Sequence, residues 1–126
     1  MGKEFRDGLK YSENHSWVKV ERDTAILGIT AHAADSVKEF VFIDLPQKGP
    51  IKKGDTYVSL ESIKWSGHLS SPVSGEIVEV NESLFDDPLK LNDDPYGNWI
   101  CKVRISDPAE LDSLMDAKQA EEHFSK

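Results

Sequence analysis

The chain has 126 residues, 38% hydrophobic and 30% charged, a size and balance that suit one domain with one compact soluble core. Its 23 acidic and 15 basic residues give a net charge of −8. That disfavours a nucleic-acid phosphate backbone as partner, where affinity rests on Lys and Arg neutralising phosphates. It suits simple solubility and, equally, encounters with basic surfaces on larger enzymes. No stretch approaches the length of a membrane span. Met1-Gly2-Lys3-Glu4-Phe5-Arg6-Asp7 has no apolar signal-peptide core, and it lacks the Ser or Thr required for myristoylation. A cytoplasmic protein with no membrane or nucleic-acid partner is the simplest expectation.

Residues 1–9 read as a loose lead-in. A β-rich segment follows around Trp17-Val18-Lys19-Val20, and Glu21-Arg22-Asp23 turns the chain into Thr24-Ala25-Ile26-Leu27-Gly28-Ile29. Thr30 is placed to cap a short helix reaching about Val37, favoured by its alanines. Phe40-Val41-Phe42-Ile43-Asp44-Leu45 reads as a strand stopped by Pro46, and Pro50, Gly54 and Asp55 mark the next turns. A β-rich run then reaches Leu60-Glu61-Ser62-Ile63-Lys64, a short polar stretch follows, and a second β-rich run leaves through Gly75-Glu76-Ile77-Val78-Glu79-Val80. Pro72 and Gly75 punctuate the return. This predicts a hairpin over about 56–80 that holds Lys64 near its tip, clear of the body of the protein.

Residues 81–98 are rich in Asn, Asp and Pro and read as a long surface excursion. In the strand over 99–105, Trp99, Cys101, Val103 and Ile105 share one face, and Lys102 and Arg104 the other. Cys101 is the single cysteine, so no internal disulfide is possible, and its place in the alternation marks an inert core residue rather than a nucleophile. Any redox sulfur must then come from a cofactor. Asp107-Pro108-Ala109-Glu110 has the spacing of an N-cap, a first-turn proline and a capping box, with Leu111, Leu114 and Met115 as the apolar stripe of a helix. Several short strands separated by turn signals predict an all-β core, as a small barrel or sandwich. Four His and one Cys stand in no ligand spacing, so no metal site is expected.

Taken alone, Lys64 is one of 15 basic residues, and an exposed charge at a turn is ordinarily just solvated. The ordered segments around it say more. Glu61-Ser62-Ile63-Lys64 with Ser71-Pro72-Val73-Ser74-Gly75, His15-Ser16-Trp17, Gly28-Ile29-Thr30-Ala31-His32-Ala33, Val41-Phe42-Ile43-Asp44-Leu45-Pro46 and Asn92-Asp93-Asp94-Pro95-Tyr96-Gly97-Asn98-Trp99-Ile100 resemble the glycine-cleavage H-protein family. The resemblance runs from Leu9 to about Ala120. It implies a barrel-sandwich hybrid with a short helix near 30–37 and a C-terminal helix from about 107, forming one lipoyl-carrier domain over 1–126. It further implies lipoic acid in amide linkage on Lys64, Glu61, Ser62 and Ile63 as recognition residues for a lipoate-attachment enzyme, and a carrier without catalytic residues of its own. The cofactor supplies the chemistry, by thiol–disulfide exchange and group transfer, and the hairpin supplies position.

The chain also departs from the family pattern. Ser16 stands where an acid is common. His68 stands four residues after the lysine, where an acid is usual. Ser36 replaces a helix histidine of the plant-type pattern, Lys38 replaces a glycine, and Trp65 replaces a small residue beside the lysine. A cationic aminomethyl load wants acidic neighbours, so these changes point to a different load. The preferred expectation is an H-like carrier serving sulfur oxidation with a heterodisulfide-reductase-like complex. The alternative is a true H protein working with glycine decarboxylase, an aminomethyltransferase and dihydrolipoamide dehydrogenase. A biotinyl carrier is disfavoured because Ile63 and Trp65, not methionines, flank the lysine, and an unmodified interaction module is the third possibility. Trp65 is either folded onto the body or a contact anchor. His68 is either an inert surface residue or a proton acceptor for a lipoyl thiol. His15 and His32 are expected to be structural.

Overall fold

The computed structural model describes residues 5–37 and 39–124. Nine strands are formed among them, in two sheets. The larger sheet starts with the short edge strand β1 (Lys10–Tyr11), followed by the hairpin of β2 (Ser16–Glu21) and β3 (Thr24–Ile29), which turns at Arg22 with φ 59°. It continues through β9 (Cys101–Ile105) and β8 (Gly75–Val80) to β5 (Gly49–Ile51) at the far edge. The smaller sheet is β4 (Phe40–Asp44), β6 (Thr56–Ser62) and β7 (Ser66–Ser70), in that order and antiparallel throughout. Gly75 permits the close pairing of β8 with β9, since a Cβ there would run into the Arg104 carbonyl oxygen.

Alternation sends the two faces of the large sheet to different places. Val18, Ala25, Leu27, Ile29, Cys101 and Val103 turn inward and meet Phe40, Ile43, Val58, Leu60 and Leu69 of the small sheet in the main core. Trp17 and Ile26 turn the other way, into a second cluster with Phe5, Tyr11, Ala117 and Ala120. The all-β expectation holds, as two sheets packed face to face that do not close into a barrel. The helix at Ala31–Ser36 (α1) is also as expected, with Thr30 Oγ1 accepting from the Ala33 N–H at 3.2 Å.

Several expectations need correction. The return strand of the lysine hairpin is β7, built from the stretch read as polar, while residues 75–80 belong to the other sheet. The segment 81–98 is no mere surface excursion: α2 (Ser83–Asp86) and α3 (Leu89–Asp93) bury Leu84 and Leu91 completely in the main core. Two leucines are enough to seat two short helices, and composition hid them. Trp99 precedes β9 and joins the second cluster rather than sharing the face of Cys101, with the Lys102 ammonium 4.8 Å from its ring centre.

The C-terminal helix is in two pieces. Pro108–Ser113 forms a 3-10 helix in which Asp107 accepts from the Ala109 N–H at 3.2 Å. Glu110 does not close the expected capping box; its carboxylate accepts from the Ser74 N–H at 2.6 Å and the Ser74 hydroxyl at 2.8 Å. The chain then straightens, and Met115 pairs with Tyr11, extending the edge at β1. The α-helix proper, α4 (Ala117–Phe124), starts at a reciprocal cap between Asp116 and Gln119, with bonds of 3.0 and 2.8 Å. Within the expected lead-in, residues 1–4 lie outside the described residues, and Phe5 is buried against Tyr11 and Phe124. Among the described residues no helix is long and apolar enough to cross a membrane.

Candidate functional site

β6 and β7 are held in register by Leu60 opposite Gly67 and Glu61 opposite Ser66. The strands are seated by Leu60 and Leu69, both buried. Above them the Ser62 N–H donates to the Trp65 carbonyl at 2.7 Å, closing a four-residue turn whose two central residues are Ile63 and Lys64. Ile63 is 83% exposed and Lys64 is exposed beside it. The buried part of the hairpin therefore fixes the backbone of the tip while the amine stays accessible. A cleft of about 330 Å³ next to it is lined by Glu39, Ser62, Ile63 and Lys64. A larger depression of about 700 Å³ across β5, β8 and β9 does not include Lys64, and it is bridged by the Ser74–Glu110 bonds. We place the candidate site at the hairpin because an exposed amine stands there at the tip of a closed turn, on strands seated by buried Leu60 and Leu69.

Register also assigns the neighbours to faces. Phe42, Glu61 and Ser66 form one row across the outward face of the small sheet, and Asp44, Ser59 and His68 form the next. Glu61 and His68 thus point to solvent, away from the core. Trp65 lies towards the opposite face, its ring against Gly67, where a Cβ would meet the ring at 2.5 Å. It nevertheless remains 43% exposed, so it is folded onto the hairpin and still offers a contact edge.

The other named positions lie elsewhere. Ser16 is completely buried, and its hydroxyl is 2.7 Å from the Tyr57 hydroxyl. It meets no solvent. Burial pushes the Tyr57 phenol up, only partly opposed by the Ser16 bond. Ser36 ends α1, exposed, donating to the Ala33 carbonyl at 2.8 Å. Lys38 lies outside the described residues. The Cys101 thiol is buried and burial pushes it up to about 12, so it stays protonated near neutral pH and is a core residue. His15 and His32 stack at 6.1 Å in a cluster with Phe124, away from the hairpin. Among the described residues no group of three or more His, Cys, Asp and Glu is placed to hold a metal ion. Sequence reading overlooked Glu39. Its signal was its place immediately before Phe40, the residue β4 pairs with Ser62.

The glycine cleavage H-protein family model matches residues 9–126. The chain belongs to the glycine cleavage H-protein family. It is 49% identical over 115 residues to a mitochondrial glycine cleavage system H protein of Flaveria pringlei, covering 90% of this chain and 71% of that one. It is 43% identical over 124 residues to a probable glycine cleavage system H protein of Aeropyrum pernix, covering 97% and 87%. Its fold is similar to the crystal structure of a glycine cleavage system H protein from Mycobacterium marinum, with a TM-score of 0.88 at 28% identity over 97% of this chain and 100% of that chain. Proteins of this family are lipoyl carriers and not catalysts, and this H-family chain is a carrier in the same sense.

Proposed function

We propose that the protein is the H protein of a glycine cleavage system. It carries an aminomethyl group on a lipoyl-Lys64 arm from glycine decarboxylase to an aminomethyltransferase, and dihydrolipoamide dehydrogenase restores the disulfide of the arm. It acts as one carrier domain over residues 1–126, in the cytoplasm. The observation that carries this reading is the exposed Lys64 amine at the tip of a turn closed by Ser62 and Trp65, in a chain whose relatives from Flaveria pringlei and Aeropyrum pernix are both named as H proteins of this system. The relatives named above favour this reading over the sulfur-oxidation carrier preferred from the sequence. The argument for that carrier also weakens at Ser16, where a buried hydroxyl bonded to Tyr57 says nothing about the load on an arm.

The residues present fit lipoate. Lys64 offers an exposed primary amine, and acylation removes its charge without leaving any buried partner unpaired. Ile63 and the cleft beside it supply apolar surface for an attachment enzyme and for the first carbons of an arm, with Glu39 and Ser62 as the polar groups there. When bound, lipoate supplies a dithiolane that exchanges electrons and groups through its two sulfurs. The contribution of the chain is to hold the root of the arm still, through Leu60, Leu69 and the closed turn, while leaving its far end free.

Peptide mass mapping after incubation with a lipoate-attachment enzyme and lipoate is the first test. We expect an adduct on Lys64 alone, abolished by Lys64→Arg, whose guanidinium forms no such amide. An adduct on another lysine rejects the site. Glycine-dependent reduction of the lipoylated protein by glycine decarboxylase is the second test. If a heterodisulfide-reductase-like complex reduces the protein and glycine decarboxylase does not, the glycine cleavage reading is wrong.

A further inference from the structure

Four large apolar side chains remain in solvent beside the hairpin: Val41 (51% exposed), Phe42 (38%), Phe85 (57%) and Leu89 (46%). Their grouping is built in. A bulge between Phe40 and Phe42 breaks the alternation of β4, so Val41 and Phe42 are both exposed while Phe40 and Ile43 are buried. The buried Leu84 and Leu91 pin α2 and α3 against the core, and Phe85 is left to meet Phe42 edge-on, ring centres 5.9 Å apart at 74°. Phe42 is paired across β4 and β6 with Glu61, three residues before Lys64, so the patch and the root of the arm ride on one sheet. Exposed aromatics clustered this way mark an interaction site.

Charge selects the occupant. Asp44, Glu61, Glu82, Asp86 and Asp87 are all exposed and flank the patch by register or by sequence, against Lys90 on α3 and Lys48, which lines a groove with Glu82. A second copy would bring two acidic rims together, and anionic lipid would be repelled likewise. We propose that this surface, centred on Phe42 and Phe85, docks a partner enzyme that presents an apolar recess ringed by Lys and Arg, and so delivers the arm into that enzyme. The inference rests on the carrier function proposed above and adds to it the surface of recognition.

The probe is glycine decarboxylase acting on the lipoylated protein. For Phe42→Ser with Phe85→Ser, the KM for the carrier should rise about tenfold, with kcat at saturating carrier nearly unchanged, because docking is lost and the arm is not. Phe85→Ser alone, at the more exposed position, should show a smaller rise and serves if the double variant is unstable. Asp44→Lys with Asp86→Lys should raise KM most at low salt and flatten its salt dependence. An unchanged KM in variants that are folded and fully lipoylated overturns the inference and leaves the carrier function standing. So does a wild-type dimer in sedimentation that the Phe variants dissolve, since a second copy would then cover the patch. If wild-type protein is not turned over at all, the glycine cleavage reading itself falls, and this inference falls with it.

Discussion

The Ser16 and Tyr57 hydroxyls meet in the core and join β2 to β6 across 41 residues of sequence. With both groups buried, Tyr57→Phe removes the partner of the Ser16 hydroxyl, whereas Ser16→Ala leaves Tyr57 only its longer bond to the Gly28 carbonyl at 3.5 Å. Tyr57→Phe or Ser16→Ala should each cost about 1–3 kcal/mol. The double variant should cost clearly less than the sum, because two apolar groups replace a broken pair. Urea unfolding of the four proteins measures this, and strict additivity would show that the two hydroxyls do not depend on each other. The same geometry bears on Ser16→Glu, the change that would restore the common family acid. A carboxylate there enters the site of a completely buried side chain, so it should destabilise the protein unless Tyr57 yields space. Nothing in His15-Ser16-Trp17 as a string shows that burial; the partner that explains it lies on another sheet.

Among the elements, the hairpin was legible because its signals are local. Glu61-Ser62-Ile63-Lys64 marks the rising strand, and the turn needs only a hydrogen bond between residues three apart. The return strand was misplaced because Ser66-Gly67-His68-Leu69-Ser70 carries one large apolar residue, Leu69, and its strand character comes from pairing with β6. Gly67 has a specific reason within it, the Trp65 ring lying over its Cα. Gly67→Ala should cost about 1 kcal/mol by displacing that ring, and should cost little on a Trp65→Ala background. Equal costs in the two backgrounds would show that the ring does not rest on Gly67. The C-terminal helix shows the same limit. Asp107-Pro108 correctly marked a helical start, yet Glu110 turned to Ser74 rather than to its own cap, and the longer-range bond between Met115 and Tyr11 split the stripe.

At the scale of the whole molecule, ring contacts beside the second cluster tie Phe5, the β1–β2 loop, α1 and α4 together. His15 has φ 68°, is stacked on His32 and lies 4.8 Å from the Phe124 ring, and its Nδ1 has no hydrogen-bond partner among the described residues. Burial first, then the nearby His32 and His123, hold its pKa below the ordinary histidine value of 6.5. A group depressed in the folded state binds its proton more readily when unfolded. Its neutral form therefore supports the fold above the ordinary value, and that support is lost as pH falls through the folded one. Thermal stability should decline from neutral pH into the acid range, with α4 loosening first in hydrogen exchange. His15→Asn, which tolerates the positive φ, should blunt that decline. An identical pH profile for wild type and variant would show that another group sets it.

The chain by itself determined the features that depend on neighbours in sequence. These are the exposed lysine at a turn, the Thr30 cap of α1, the alternation that buries Cys101 and Val103, and the all-β class. Turn chemistry, capping and periodicity act over a few residues, so they can be read from a string. Only the tertiary structure decided which residues share a face or a core. It placed Ser16 beneath Tyr57, turned His68 outward in a row with Ser59 and Asp44, sank Leu84 and Leu91 from a polar segment, and left Phe42 and Phe85 together in solvent. Each of those outcomes depends on sheet register, on a bulge or on a contact across dozens of residues. The energy of such contacts belongs to both partners together, and no local pattern in either segment contains it.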